Sequence, residues 1–472
     1  MKQNNFLTAR RLLVFLACLA LLSACRKTSF ISGKEAALHA SADTLHFDTL
    51  FTSTGSVTQY FKIFNDNNQK LLISDIALQG GASSNYKINI DGFPGPSLNN
   101  IEMEAHDSLY VFVTVTIDPT ASNLPFLVED SIRIRYNGNE QWVQLQAWGQ
   151  NAHFYRSALI SGDTRWTNEK PYVIIGGLLV DEQATLTIEK GCRIYLHADA
   201  PFIVEGTLLA QGEQQDSDKI IFQGDRLDNP YRDFPAAWPG IYFRENSRNN
   251  ALRHVIVKNA YQGIVAEGPS VNGNPKLKLQ QCQVDNCYDA GIMGIQSAIE
   301  AENCLISNCG KNILLLYGGS YRFTHCTAAA FSNTLIAHTQ PVLAVADFIE
   351  SGDQVYTAAL DALFTNCIFW GQGGATDNEA VVVKKGNGPF NAGFRHCLWK
   401  VKTHPENTSS SDMIENEDPL FENTDPKKEA YNFRLQATSP AIDKGLDTGV
   451  DTDLDEEPRN TGLPDLGAYE KK

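Results

Sequence analysis

Residues 225–233, DRLDNPYRD, gather acids, arginines and a tyrosine in one short stretch. That mixture suits a sugar. Carboxylates and guanidinium groups hydrogen-bond hydroxyls, and a tyrosine ring offers an apolar face. Asp228, Tyr231, Arg232 and Asp233 are therefore carbohydrate-binding candidates, with a solvated corner loop as the alternative. A second group is Asp347, Glu350 and Asp353, with Asp361 further on. Glycoside hydrolysis uses carboxylates roughly 5–10 Å apart, and a similar cluster binds calcium. A third group is Asp285, Asp289, Glu300 and Glu302, with His254 and Lys258 one turn earlier. Asp451, Asp453, Asp455 and Glu457 have an Asp-x-Asp-x-Asp-x-Glu spacing that can wrap a calcium ion. Glu456 stands where an EF-hand loop needs glycine, so a structural lock between these acids and Arg459 is the alternative. No zinc motif, nucleotide-binding loop or Gly-x-Ser-x-Gly occurs.

The elements that must position these groups announce themselves between Leu279 and Cys326. Cys282, Cys304 and Cys326 are 22 residues apart, and so are Cys287 and Cys309. A fixed period of this size in non-helical sequence marks a coiled solenoid. At roughly 3.3 Å per residue, one period holds about three short strands and their corners, but not a βαβ unit. Stacked coils would turn the cysteines into interior ladders, for which a small apolar side chain is suited. Asn286, Asn303 and Asn308 each precede a ladder cysteine, where amides could bond from coil to coil. His325 and His396 also precede ladder cysteines and read as structural. Disulfides or a metal framework are the rival reading.

The chain has 472 residues, enough for about three domains. Lys2, Arg10 and Arg11 precede an apolar run, Leu12–Leu22, too short to span a bilayer. The run ends in Leu22-Ser23-Ala24-Cys25, which resembles the bacterial lipoprotein box. That resemblance implies cleavage of residues 1–24 and a lipid, palmitate included, on Cys25. It also implies a link to the outer membrane, on its periplasmic or surface face. Residues 25–40 read as a tether. A formal net charge of −16 argues against nucleic acid and against charge-driven binding to anionic membranes.

Residues 41–150 read as an all-β sandwich. Seven alternating segments, 45–51, 57–64, 71–78, 86–90, 108–117, 131–136 and 141–147, fit an immunoglobulin-like fold. The segment FKIFNDNNQKLLISDIAL resembles the bacterial Ig-like modules that precede solenoids. Residues 160–435 carry the pattern TIEKG, VEGTL, IIF, WPGIYF and LRHVIVKN. This order resembles right-handed parallel β-helix proteins of the pectate-lyase-like superfamily, found in Bacteroidetes-type lipoproteins among others. Longer cysteine spacings beyond Cys326 place inserted loops near 338–362 and 372–393. The tail, 436–472, contains SPAIDKG, DTDLDEEPR and DLGAYE. It resembles the terminus of many secreted bacterial β-helices, which implies a cap on the open end of the coil.

The expectation is an all-β chain: an Ig-like sandwich, then a right-handed parallel β-helix, lipid-anchored in the cell envelope. The resemblance implies a polysaccharide, bound or processed, with calcium as a possible cofactor. An active lyase or glycoside hydrolase is one alternative. A structural or adhesive protein, with a smooth coil lacking a cleft or aromatic platform, is the other.

Overall fold

The computed structural model describes residues 29–51, 58–117, 126–425, 431–459 and 462–471. Residues 1–24 and Cys25, the whole of the expected lipoprotein signal, lie outside them. The described chain forms two compact units, divided after Asn151.

The first unit is a β-sandwich. One sheet pairs Lys70–Leu78, Phe126–Tyr136 and Asn139–Gln150 antiparallel, with Thr44–Phe51 alongside. The other is built on Gln59–Asn65, Ser108–Val115 and Tyr86–Ile90. Alternation along these strands aims Phe61, Ile63, Ile73, Ile88, Val111, Val113, Ile134 and Leu145 into one core. Residues 30–40, expected as tether, are part of it. Phe30–Ile31 pairs with Lys70–Leu71, Leu38–Ala40 pairs with Ile63–Asn65, and Ala36 and Leu38 are buried. Two- and three-residue strands are too short to show a period, and the sequence reading missed them for that reason.

The second unit is the right-handed parallel β-helix, and it begins with His153–Ile160, before the position expected. Each coil contributes to three parallel sheets. The first contains Phe202–Val204, Ile241–Phe243 and Gln262–Glu267. The second contains Asn250–Arg253 and Leu277–Gln280. The third contains Val255–Lys258, Gln283–Asp285, Leu305–Ser307 and Thr327–Phe331. The strands Ala290–Glu302 and Lys311–Thr324 run through the first sheet into the second, bending at Gln296 and at Tyr317, both left-handed.

The corner between the second and third sheets explains the cysteine period. Its residue is left-handed in coil after coil: His254, Gln281, Asn303, His325, Asn366, His396 and Asp412, with φ between 47° and 56°. Asparagine, aspartate and histidine tolerate this region better than other side chains. The next residue turns inward at the narrow vertex, and it is Cys282, Cys304, Cys326, Cys367 and Cys397, each at most 1% exposed. Each thiol donates to the carbonyl two residues back, at 3.3–3.4 Å. The eight cysteines described are free and buried, so the ladder is one of packing, without disulfides.

From Leu305 onward the outer face of the third sheet is apolar. Leu305, Phe331, Ile368, Trp370 and Leu398 are covered by Phe421, Phe433, Leu435, Leu454, Leu466 and Tyr469. Each such side chain contributes about 1.5–3 kcal/mol when fully buried. The tail, expected at the open end, thus runs back along the flank of the coil. Lys444 O accepts from His396 Nδ1 (3.0 Å), and Leu446 exchanges two bonds with the Asn366 amide. Thr452 O accepts from Asn303 Nδ2 (2.7 Å), and Glu456 reaches His254 Nε2 (2.9 Å). The left-handed corner leaves a column of polar side chains, and the tail bonds four of them, His254, Asn303, Asn366 and His396.

The tail is locked by Arg459, 3% exposed, which donates to Glu470 Oε2 (3.0 Å), Asn303 Oδ1 (3.0 Å) and Gly467 O (2.9 Å). Three carboxylates, Asp453, Asp465 and Glu470, share this single cation. Burial pushes the Glu470 carboxyl up to about 7, Asp465 and Asp453 adding to the shift against Arg459. A raised carboxyl binds its proton more tightly in the folded chain, so stability falls as pH rises from about 4.5 to 7. Glu470→Gln is expected to flatten that slope by about 1–2 kcal/mol. Thermal melts across this pH range check it; an unchanged slope contradicts it.

Candidate functional site

At the edge of this apolar cover the outer face of the third sheet carries polar groups. Val257, Val284 and Ile306 point inward, so Lys258, Asp285 and Ser307 point outward. These three are in register on consecutive coils. Adjacent strands are ~4.8 Å apart, so the three side chains form one row. Asp285 Oδ1 accepts from Ser307 Oγ at 2.6 Å and from Asn308 Nδ2 at 3.5 Å. Burial raises the Asp285 carboxyl above the usual carboxylate range, against Ser307, Asn308 and the Lys258 charge.

The next corner is an asparagine column. Asn259, Asn286 and Asn308 are left-handed, with φ of 62°, 54° and 50°. Asn286 Nδ2 donates to Asn259 Oδ1 (2.8 Å) and to Asp233 O (2.8 Å), and Asn259 Nδ2 donates to Arg232 O (2.7 Å). These bonds hold the 225–236 loop against the corner. The result is a cleft of about 360 Å³ lined by Arg232, Asp233, Lys258, Asn259, Asp285, Asn286, Asn308, Asn333, Thr334, Leu335 and Tyr431. Tyr431 closes one side and stacks on Phe433 at 5.9 Å.

The structure splits the first candidate group. Arg232 and Asp233 line the cleft and pair with each other at 3.0 Å. Asp228 is committed to Arg226 by two bonds, 2.7 and 2.9 Å, and that guanidinium lies 4.0 Å above the Tyr231 ring. Tyr231 is 43% exposed but outside the cleft.

Asp347, Glu350 and Asp353 do not come together. Asp347 is 2% exposed and accepts the Lys385 and Gly386 amides, at 2.8 and 2.9 Å. Glu350 pairs with Lys385, and Asp353 is exposed at the turn of the hairpin formed by Phe348–Ser351 and Gln354–Thr357. Asp361 is held by Arg322 and Asn391. In the tail, Asp453 accepts the amides of Asp455, Glu457 and Glu470, and Asp455 pairs with Arg434. Asp451 is exposed. Among the described residues no three acids, histidines or cysteines are grouped as metal ligands.

Of the third group only Asp285 and Lys258 line the cleft together. Glu300 and Glu302 stand on the second sheet, Asp289 at the edge of the first, and His254 beneath the tail. Sequence reasoning missed Asn259 and Ser307, read Asn308 only as a ladder amide, and missed Tyr431. A signal for the first three existed: Lys258-Asn259, Asp285-Asn286 and Ser307-Asn308 precede Ala260, Cys287 and Cys309 at the same phase.

A larger groove, about 640 Å³, runs along the second sheet past Arg165, Lys190, Arg253 and Lys278. Its cations are matched by Glu189, Glu213, Glu456 and Glu300. The third-sheet cleft, where burial raises the Asp285 carboxyl, is the stronger candidate.

Residues 172–369 match the family model described as "Right handed beta helix region". No curated protein matches the chain. Among solved structures, a family 123 glycoside hydrolase from Clostridium perfringens aligns at 11% identity over 26% of this chain and 31% of that one, with a TM-score of 0.19. The periplasmic chaperone SfaE aligns at 10% identity over 24% and 58%, with a TM-score of 0.17. The catalytic domain of a GH87 alpha-1,3-glucanase aligns at 10% over 76% and 88%, with a TM-score of 0.13. The chain spans less than two thirds of the first two structures, and at these scores none of the three bears on function.

Proposed function

We propose that the chain is a lipid-anchored protein of the bacterial cell envelope that binds polysaccharide in the third-sheet cleft. The observation that carries the reading is the in-register row Lys258, Asp285 and Ser307 beside Arg232, Asp233 and the asparagine column. Alternating donors and acceptors on a fixed lattice match the hydroxyls of a sugar chain. The coil supplies the rigidity, since each side chain sits on a strand or a bonded corner. The anchor rests on the resemblance of Leu22–Cys25 to the lipoprotein box.

A second reading, glycoside hydrolysis in the same cleft, is favoured by the raised carboxyl of Asp285. A protonated Asp285 would donate to the glycosidic oxygen. Asp233 is the second carboxylate in the cleft and would take the proton of the attacking water.

The test is incubation of the detergent-solubilised protein with a panel of neutral and acidic polysaccharides, following depletion, reducing ends and ultraviolet absorbance together. Depletion alone supports binding, and new reducing ends without absorbance support hydrolysis. Absorbance from an unsaturated product would replace hydrolysis with a lyase reaction. Neither depletion nor product across the panel overturns the reading in favour of a structural or adhesive role.

A further inference from the structure

Tyr261 and Tyr288 occupy the same position on successive coils, each two residues beyond an asparagine of the cleft. Their rings stack with centroids 5.8 Å apart and planes 25° apart, and they remain 45% and 53% exposed. The core does not need them there, because Ala260 and Cys287 already fill the interior of these corners. On the next coil the position is Gly310, whose amide bonds to Cys287 O at 3.0 Å. Any side chain at Gly310 would meet Tyr288 O at 2.3 Å and Asp289 O at 2.8 Å. The column of rings therefore stops at Tyr288, and its far face looks onto a coil with no side chain at that position. Coils are ~4.8 Å apart, so the open step has about the thickness of one flat ring.

Polar groups stand beside this step. Asp289 Oδ1 accepts from Lys311 Nζ at 2.8 Å, and Asp289 Oδ2 accepts from Gln262 Nε2 at 2.8 Å. At the other end of the strand Gln262–Glu267, Glu267 is paired with Arg244 at 2.7 and 2.8 Å. Each of these cations has its own carboxylate, and the chain carries a formal −16. A polyanion gains nothing from that balance, whereas uncharged hydroxyls find both donors and acceptors.

We infer that Tyr288, backed by Tyr261, binds a pyranose unit of a neutral polysaccharide. The C–H face of the sugar lies on the ring in the step left open by Gly310, and its hydroxyls reach Asp289 and Lys311. This inference rests on the polysaccharide reading above and carries the site round the corner from the cleft.

The experiment is calorimetric titration of the detergent-solubilised protein with dextran, laminarin and xylan as neutral probes and polygalacturonate as the acidic one. A neutral probe is expected to bind. Tyr288→Ala then weakens it at least about tenfold, while Tyr288→Phe, which keeps the flat ring, stays within about twofold. Should the alanine variant fail to fold, Tyr288→Leu, apolar but not flat, is expected to show the same loss. Undiminished binding by these variants, or preference for polygalacturonate over every neutral probe, overturns the inference. Normal binding by Tyr288→Ala with loss in Asp285→Asn removes the platform and leaves the cleft. Binding of no probe by the unaltered protein removes the polysaccharide reading together with the platform.

Discussion

Replacing Arg459 with methionine is expected to release the C-terminal tail from the coil and to destabilise the protein by about 3–5 kcal/mol. The guanidinium side chain is 1% exposed and its partner Glu470 is 8% exposed. Methionine fills similar space but leaves Glu470, Asp453 and Asp465 without a shared cation, and Asn303 Oδ1 and Gly467 O without their donor. An uncompensated buried charge costs far more than the intact pair contributes, which is why the loss exceeds that of any surface ion pair in the chain. Release of the tail would also uncover Leu305, Phe331, Ile368, Trp370 and Leu398. Two readings are therefore expected together: a lower thermal midpoint, and new proteolytic cuts between Ser439 and Tyr469. A midpoint within about 1 °C of the unaltered protein would show that the tail is not locked in this way.

The second large effect concerns the cleft. Asp285→Asn is expected to weaken glycan binding by roughly tenfold to a hundredfold, as loss of one or two good hydrogen bonds costs about 1.5–3 kcal/mol. Stability should not fall with it. The asparagine oxygen still accepts from Ser307 Oγ, and a carboxylate that burial disfavours is gone. Loss of binding without loss of stability separates a binding residue from a structural one. Lys258→Ala removes the cation that favours the ionised form of Asp285. It is expected to raise the pH at which binding changes, since Asp285 then holds its proton more tightly. If hydrolysis occurs, the alkaline limb of its pH profile moves upward in the same variant, because the proton donor Asp285 stays protonated to higher pH. Titrations of both variants over the pH range check these outcomes. Wild-type affinity in Asp285→Asn would exclude the cleft as the site.

Much of this architecture was legible because a coil writes its geometry into the chain. The 22-residue spacing of Cys282, Cys304 and Cys326 is the register itself, since Gln283 pairs with Leu305 and Leu305 with Thr327. The sandwich strand Tyr86–Ile90 follows from strict alternation, and Lys70–Leu78 from an alternation broken once between Ile73 and Ile76. The same coil hides its sites. Asp285, Asp289, Glu300 and Glu302 are close in sequence, yet a coil places them on three different sheets. Lys258, Asp285 and Ser307 are far apart in sequence and stand side by side. Whether Asp285 points outward was unreadable, because left-handed Gln281 and Asn286 on either side interrupt the alternation. The path of the tail was hidden for a related reason. Its partners, His254, Asn303, Asn366 and His396, are corner residues of four separate coils, and nothing in the tail names them.

The central claim is that a glycan occupies the third-sheet cleft. The most direct measurement is a crystal structure of the protein with an oligosaccharide of whichever glycan the panel selects. The account predicts an ordered sugar within hydrogen-bonding distance of Asp285 and Lys258, beside Asn286. A sugar ordered only in the second-sheet groove near Arg165 and Lys278, with the cleft empty, would contradict it.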